Sequence, residues 1–357
     1  MQFFAADFLT TLLLFVVVLS FIVFIHELGH FLPARYYGIK VDTFSIGFGK
    51  EIFGWTDSKG TRWKFSWVPL GGYVKFFGDA DASSSSVDKT ISEKEKKLSL
   101  YYRPLKERII VSFGGPAANY LLAMILFFSA FFLVGQPGMS TKIESFSEES
   151  PAKSAGLVVG DEIRSINDHE VKTFADILNV MGDLKTPEVN VKISRNGTEH
   201  YYMLLANTLK IGESERFILG VKTGNGPSFQ IWSSVSKSVM YPFQISYSTL
   251  LALKNMIVKT NMEGLGGPIA IAKGIKSAAE MGLMVVIFYA ALISTSLGFF
   301  NLLPIPTLDG GHLLFYFIEA IRGKPVSEKI QEWAFMIGFG TLMVLFLFVT
   351  YKDVFFK

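Results

Sequence analysis

Three residues near the start of the chain have the types and spacing for hydrolytic chemistry: His26, Glu27 and His30, within His26-Glu27-Leu28-Gly29-His30. On a helix, positions i and i+4 are offset by only ~40°, so both imidazoles point the same way and can share one ion. Glu27 stands beside them, giving the metallopeptidase pattern of two zinc ligands and one general base. The preceding stretch, Phe8 to Ile25, is dominated by Leu, Val, Ile and Phe. Ionisable groups at the end of so apolar a helix are costly unless they bind something, and therefore mark a functional site. A helix end whose His and Glu meet lipid headgroups is the blander alternative.

Two histidines rarely hold zinc alone. The chain has no cysteine, so a third ligand must come from His, Asp or Glu. The segment Asn301-Leu302-Leu303-Pro304-Ile305-Pro306-Thr307-Leu308-Asp309-Gly310-Gly311 is the best source. Its prolines break the backbone ladder and its glycines permit a tight approach. Irregular backbone at membrane depth is tolerated only where it is buried in protein or lines a wet cavity. Asp309 is the sole acid there and is expected to be the third ligand. His312, beyond the turn, is the rival, and an ordinary Asp-Gly turn at the membrane surface is the bland reading.

The elements that must position these residues are membrane spans. Of 357 residues, 50% are hydrophobic and 15% aromatic, yet 18% are charged, too many for a chain lying wholly in lipid. A net charge of +3 is too small to suggest nucleic acid as a partner, and no basic aromatic patch is seen, so none is expected. Spans are expected at Phe8–Phe31, Ile109–Val134, Met281–Leu303 and Trp333–Tyr351, each near the ~20 residues a helix needs to cross the hydrocarbon. The first is expected to be retained rather than cleaved as a signal peptide, since residues 1–8 carry no Lys or Arg. Leu313–Ile321 is too short to cross and reads as a half-helix. Lys89, Lys94, Lys96, Lys97, Arg103, Lys106 and Arg108 crowd one flank of the second span, against Lys142 and Lys153 on the other. The positive-inside rule then puts residues 35–108 in the cytoplasm and both termini outside. Asp79–Asp88, with its Ser83–Ser86 run, reads as a cytoplasmic loop.

The pair His26-Glu27-x-x-His30 and Leu308-Asp309-Gly310 resembles the site-2 protease family of intramembrane zinc peptidases. Phe44-Ser45-Ile46-Gly47-Phe48-Gly49 and Pro69-Leu70-Gly71-Gly72-Tyr73-Val74-Lys75 resemble its membrane-associated β-hairpin region. Gly115-Pro116-Ala117-Ala118-Asn119 resembles its second-span motif, and Gly267-Pro268-Ile269-Ala270-Ile271 its element before the third span. The resemblance implies that His26, His30 and Asp309 bind Zn2+ and that Glu27 is the catalytic acid/base. It also implies that Asn119 and Asn301 handle substrate. An exposed strand edge in the Val68–Phe76 region, with Gly71, Gly72 and Tyr73, is expected to hold an unwound substrate segment by strand addition. Expected substrates are single-span membrane proteins already trimmed outside, such as anti-sigma factors, or remnant signal peptides. The expected location is a bacterial inner membrane, with the active site near the cytoplasmic side and lipid as surroundings.

Between the second and third spans, Ser150–Leu157 reads as a short helix start and Val159–Asp168 as a turn and strand. Phe174–Met181 has helical spacing, and Val189–Ser194 and His200–Leu204 flank the hairpin turn Asn196-Gly197. This order is similar to a PDZ domain, with Leu219, Gly220 and Val221 where a peptide chain end would be received. The alternative is an empty groove in a domain that only blocks access. A bacterial member of that family has two PDZ domains in tandem, whereas residues 135–225 hold one. His169 and His200 read as surface residues.

The expected architecture is therefore a polytopic α-helical membrane protein with about four transmembrane helices, a membrane-associated β-hairpin region and an inserted PDZ (α+β) domain. The expected segments are 1–34 (first span), 35–108 (cytoplasmic loop with hairpin) and 109–134 (second span). They continue with 135–225 (PDZ domain), 226–280 (amphipathic helices outside, or a core helix of the outer domain), 281–321 (third span and Leu308–Gly311) and 322–357 (fourth span and tail). The competing function is a non-catalytic PDZ-containing scaffold, against which an intact Glu27 argues.

Overall fold

The computed structural model describes residues 2–79, 92–135, 140–211, 214–224, 229–259 and 266–355. The Ser83–Ser86 run lies outside the described residues. The chain forms two compact units, one from Met1–Phe127 with Ser238–Lys357 and one from Phe128–Lys237.

In the first unit, α1 (Gln2–Tyr36) is one helix of 35 residues. At 1.5 Å per residue it extends ~52 Å, longer than the ~30 Å hydrocarbon core that a spanning helix must cross. Its polar motif lies near the end that leads into β1 (Val41–Thr56) and β2 (Arg62–Phe76). These two strands curl over one another: Phe44 pairs with both Val74 and Trp63, and Ile46 with both Gly72 and Phe65. Residues 43–46 thus lie between the two halves of β2, and residues 72–75 form an outer edge. Gly71 bends that edge at φ +131°, where a side chain would also run into the Phe48 ring. Phe44 stacks on Trp63 at 4.3 Å, and Phe31 of α1 meets both rings edge-on. The hairpin is thereby fixed to the motif-bearing end of α1.

After α2 (Glu93–Lys96) comes α3 (Leu105–Val134), which carries the second apolar stretch. Gly29 and Gly114 let α1 and α3 nearly touch: a Cβ on either would strike the other's carbonyl oxygen.

The second unit begins with β3 (Ile143–Phe146), α4 (Pro151–Ser154), β4 (Glu162–Ile166), β5 (His169–Glu170) and α5 (Phe174–Gly182). It continues with β6 (Glu188–Arg195), β7 (Thr198–Leu205), β8 (Asn207–Ile211), β9 (Ser214–Ile218) and β10 (Val221–Thr223). The sheet order is β5-β4-β6-β7, with β10 pairing β3 and β8 pairing β9. The β6–β7 turn has Asn196 and Gly197 at φ 51° and 84°, the left-handed pair a two-residue hairpin needs. Alternating Val189, Val191 and Ile193 face a core shared with Ile163, Ile166, Ile177 and Leu219.

Beyond these strands, α6 (Ile231–Lys259) is a single helix. Ser234, Ser238 and Ser246, one turn or two apart, are buried, while Trp232, Val235, Val239 and Phe243 are exposed. Exposed apolar rows fit lipid, and small buried residues allow close packing. Next come α7 (Pro268–Met281), α8 (Leu283–Asn301), α9 (Asp309–Arg322) and α10 (Glu328–Phe355). Gly282, at φ +119°, ends α7, so the third span starts at Leu283 rather than Met281, and it ends at Asn301 rather than Leu303. The segment expected as a half-helix is α9, whose 14 residues extend ~21 Å, short of a crossing.

Four helical stretches are long and apolar enough to cross a membrane: Leu9–Tyr36, Leu105–Val134, Leu283–Asn301 and Glu328–Phe355. The described chain is thus a polytopic membrane protein with a mixed α/β part.

Candidate metal centre

Two helices place the first donors. His26 and His30 sit one turn apart on α1, both more than nine-tenths buried, facing a stripe of α3 made by Val111, Gly115 and Asn119. His30 Nδ1 donates to the Val111 carbonyl at 2.8 Å, because a carbonyl can only accept. That fixes the neutral tautomer of His30 and turns the Nε2 lone pair inward. Gly115 leaves the room: a Cβ there would stand 2.8 Å from His26 Cε1 and press harder still on His30 Nε2.

The third donor comes from the turn after α8. Asp309 is the first residue of α9, where a carboxylate is favoured by the helix dipole. Gly310 and Gly311 let this turn pack tightly, since a Cβ on either would strike the carbonyls of Leu302, Leu303 or Ile305. The carboxylate reaches His26 Nε2 at 3.2 Å through Oδ2 and His30 Nε2 at 3.3 Å through Oδ1, and the two Nε2 atoms are 3.3 Å apart. Asp309 Oδ2 is buried and, among the described residues, receives no hydrogen bond.

These observations fit zinc. Ligand bonds of ~2.0–2.1 Å in a tetrahedral shell set donor-to-donor edges of ~3.3–3.4 Å, close to the spacings found. A neutral His30 so held turns an acceptor toward an acceptor carboxylate, an arrangement that a cation between them would relieve. Among the described residues this is the one cluster of three such donors. His312 lies outside it, packed against Phe335 at 5.1 Å between ring centroids. It lines the same cavity as the three converging donors, one turn on from Asp309, but does not join them.

Glu27 is buried and lines, with the three donors, a cavity of about 920 Å³. Gly71, Gly72, Tyr73 and Asn301 line the same cavity. Gly72 brings the outer strand edge against Glu27, and a Cβ there would sit 3.0 Å from Glu27 Cγ. Asn119, expected to handle substrate, is instead fully buried behind His26, its amide 3.1 Å from Nδ1, and is not part of the cavity wall. Leu219, Gly220 and Val221 belong to the other unit. There the Leu219 and Gly220 carbonyls accept from Ala152 N at 3.1 Å and Ser147 N at 2.9 Å, and Val221 pairs with Phe146.

Sequence reading missed Arg108 and Glu319. Arg108 counts toward orientation, but its guanidinium forms a two-pronged ion pair with Glu319 of α9 and lies 5.0 Å over the Tyr316 ring. This clamps the helix that carries Asp309 onto α3. No local pattern announces a pair 211 positions apart.

Two imidazoles, one carboxylate and a buried glutamate among apolar helices define a membrane-embedded metallopeptidase. The family model that matches the chain, Peptidase family M50, does so over residues 14–345. A protein of Agrobacterium fabrum (strain C58 / ATCC 33970) named a "putative zinc metalloprotease" is 37% identical over 366 residues, 98% of this chain and 97% of that one. Similarly named proteins of Rhizobium meliloti (strain 1021) and Campylobacter jejuni are 36% and 35% identical, covering 95% and 99% of this chain and 95% and 94% of their own. The chain belongs to peptidase family M50, the site-2 protease family, and is a zinc metalloprotease.

Proposed function

We propose that this enzyme cleaves single-span membrane proteins within or near the membrane, with His26, His30 and Asp309 as zinc ligands and Glu27 as general acid/base. The observation that carries this reading is the convergence of three buried donors at 3.2–3.3 Å beside a buried carboxyl group in one cavity. When bound, zinc supplies Lewis acidity toward water and the scissile carbonyl. Glu27 takes the proton from the attacking water and later hands it to the leaving amide nitrogen. A transmembrane helix hides its carbonyls in hydrogen bonds, so the substrate must unwind first. The edge at residues 72–75 holds the unwound segment by strand addition, beside Glu27.

Orientation follows from charge. Residues 35–108 face the cytoplasm of a bacterial cell, and both termini and the 135–225 segment lie on the other side of the inner membrane. The strand order and Gly220 turn of that segment support a PDZ domain that receives a peptide chain end or screens out bulky substrates. Pre-trimmed anti-sigma factors and remnant signal peptides are the substrate classes this arrangement would admit.

Glu27→Gln tests the chemistry. The variant should keep its zinc while cleavage of a reconstituted model span falls by a factor of ~10²–10⁴. Near-wild-type turnover would remove Glu27 from the mechanism, and zinc without proteolysis in the wild-type protein would favour a scaffold.

A further inference from the structure

Asn119 sits where it can decide which nitrogen of His26 is free. Its side chain is wholly inaccessible to solvent. Ser294 Oγ of α8 donates to its backbone carbonyl at 2.9 Å, and Gly298 of the same helix leaves space against its Cβ. The residue is thus held between α3 and α8, with no surface on the cavity. Its one side-chain partner among the described residues is His26 Nδ1, 3.1 Å from the amide nitrogen, and its amide oxygen is buried with no donor.

This arrangement conflicts with metal binding in a specific way. An amide nitrogen only donates, so Nδ1 of a neutral His26 must accept and the ring proton must sit on Nε2. Yet Nε2 is the atom that converges with His30 Nε2 and Asp309 Oδ2. A protonated Nε2 has no lone pair for an ion. Exchanging oxygen and nitrogen by a half-turn of the amide keeps nearly the same shape and removes the conflict. Oδ1 then accepts from Nδ1–H, and the Nε2 lone pair faces the centre.

We infer that Asn119 is a positioning residue for the metal centre, its amide oxygen holding the Nδ1 proton of His26 so that Nε2 is free for the ion. It is the counterpart of Val111, whose carbonyl does the same for His30. The two supports lie eight residues apart on one face of α3, opposite two histidines four residues apart on α1. Neither is a catalytic residue. Such outer partners of a ligating histidine typically contribute 10–100-fold to metal affinity.

The inference rests on the reading of His26 as a ligand, and the test separates the two. Zinc affinity is measured by chelator competition on the full-length protein in detergent, for wild type, Asn119→Leu, Asn119→Asp and His26→Ala. Asn119→Leu keeps the size but loses the acceptor and should bind zinc ~10–100-fold more weakly. Asn119→Asp keeps an acceptor and should retain wild-type affinity, a rescue that a packing or substrate-contact role does not predict. Wild-type affinity in Asn119→Leu, or equal loss in a folded Asn119→Asp, overturns the inference. Undiminished affinity in His26→Ala overturns the ligand reading instead. Should the aspartate variant not fold, ring-15N-labelled histidine in the zinc-loaded wild type decides the matter. Protonation of His26 on Nδ1 supports the inference, and protonation on Nε2 refutes it.

Discussion

Adding one methyl group at Gly115 should empty the metal site. An alanine Cβ at this position would lie 2.8 Å from His26 Cε1 and closer still to His30 Nε2. Carbon needs ~3.5 Å or more from such neighbours, so one or both rings must retreat by more than half an ångström. Metal–ligand distances tolerate only about ±0.2 Å. The His30 ring cannot retreat freely either, because its Nδ1 is held by the Val111 carbonyl at 2.8 Å. Displacing a ligand outright should cost at least the ~10–100-fold typical of losing one outer support, and we expect ~100-fold or more. Chelator competition on the purified variant reads this directly, with Gly340→Ala as control, where a Cβ meets nothing within 4 Å. Wild-type zinc affinity in Gly115→Ala would falsify the proposed geometry of the centre, whatever its effect on proteolysis.

Asp309→Asn should lower bound zinc sharply while His312→Ala leaves it nearly unchanged, and the reverse pattern in metal analysis would transfer the third ligand to His312. Burial pushes the Asp79 carboxyl up to about 7, despite the hydrogen bond it accepts from Phe76 N. A raised folded pKa means that the native state holds the extra proton, so stability falls as pH rises from about 4 to about 7. Asp79→Asn should therefore raise the thermal midpoint at pH 8 and change little at pH 4; equal shifts at both would refute the assignment. In the second unit, Arg195 holds the buried Asp161 carboxyl below the usual range through bonds of 2.7 and 2.8 Å. That stabilisation is present above the unfolded pKa near 4 and is lost as pH falls through the lower folded value. Arg195→Met should lower stability at pH 7, by less than breaking a fully buried pair because Arg195 is 30% exposed. Calorimetry of the full chain showing no loss would count against it.

The chemistry was legible in the sequence because it is written in short-range spacing. His26 and His30 share a helix face by their separation alone, and Asp309 stands out as the sole acid in an apolar, proline-broken segment. Four spans and the Asn196-Gly197 hairpin were readable for the same reason: length, hydropathy and turn chemistry are local. The supports of the site were not. That Val111, Gly115 and Asn119 form the floor beneath the two rings depends on how α1 crosses α3, which Gly29 and Gly114 set by close approach. Asn119 was expected to meet substrate, and only packing against α8 shows it turned toward His26. The Arg108–Glu319 clamp joins residues far apart in the chain, and α6 shows its buried serine face only once its neighbours are in place. Sequence thus determined which residue types could bind and hydrolyse. The tertiary structure decided which of them are held in register, because register comes from helix contacts that no single segment encodes.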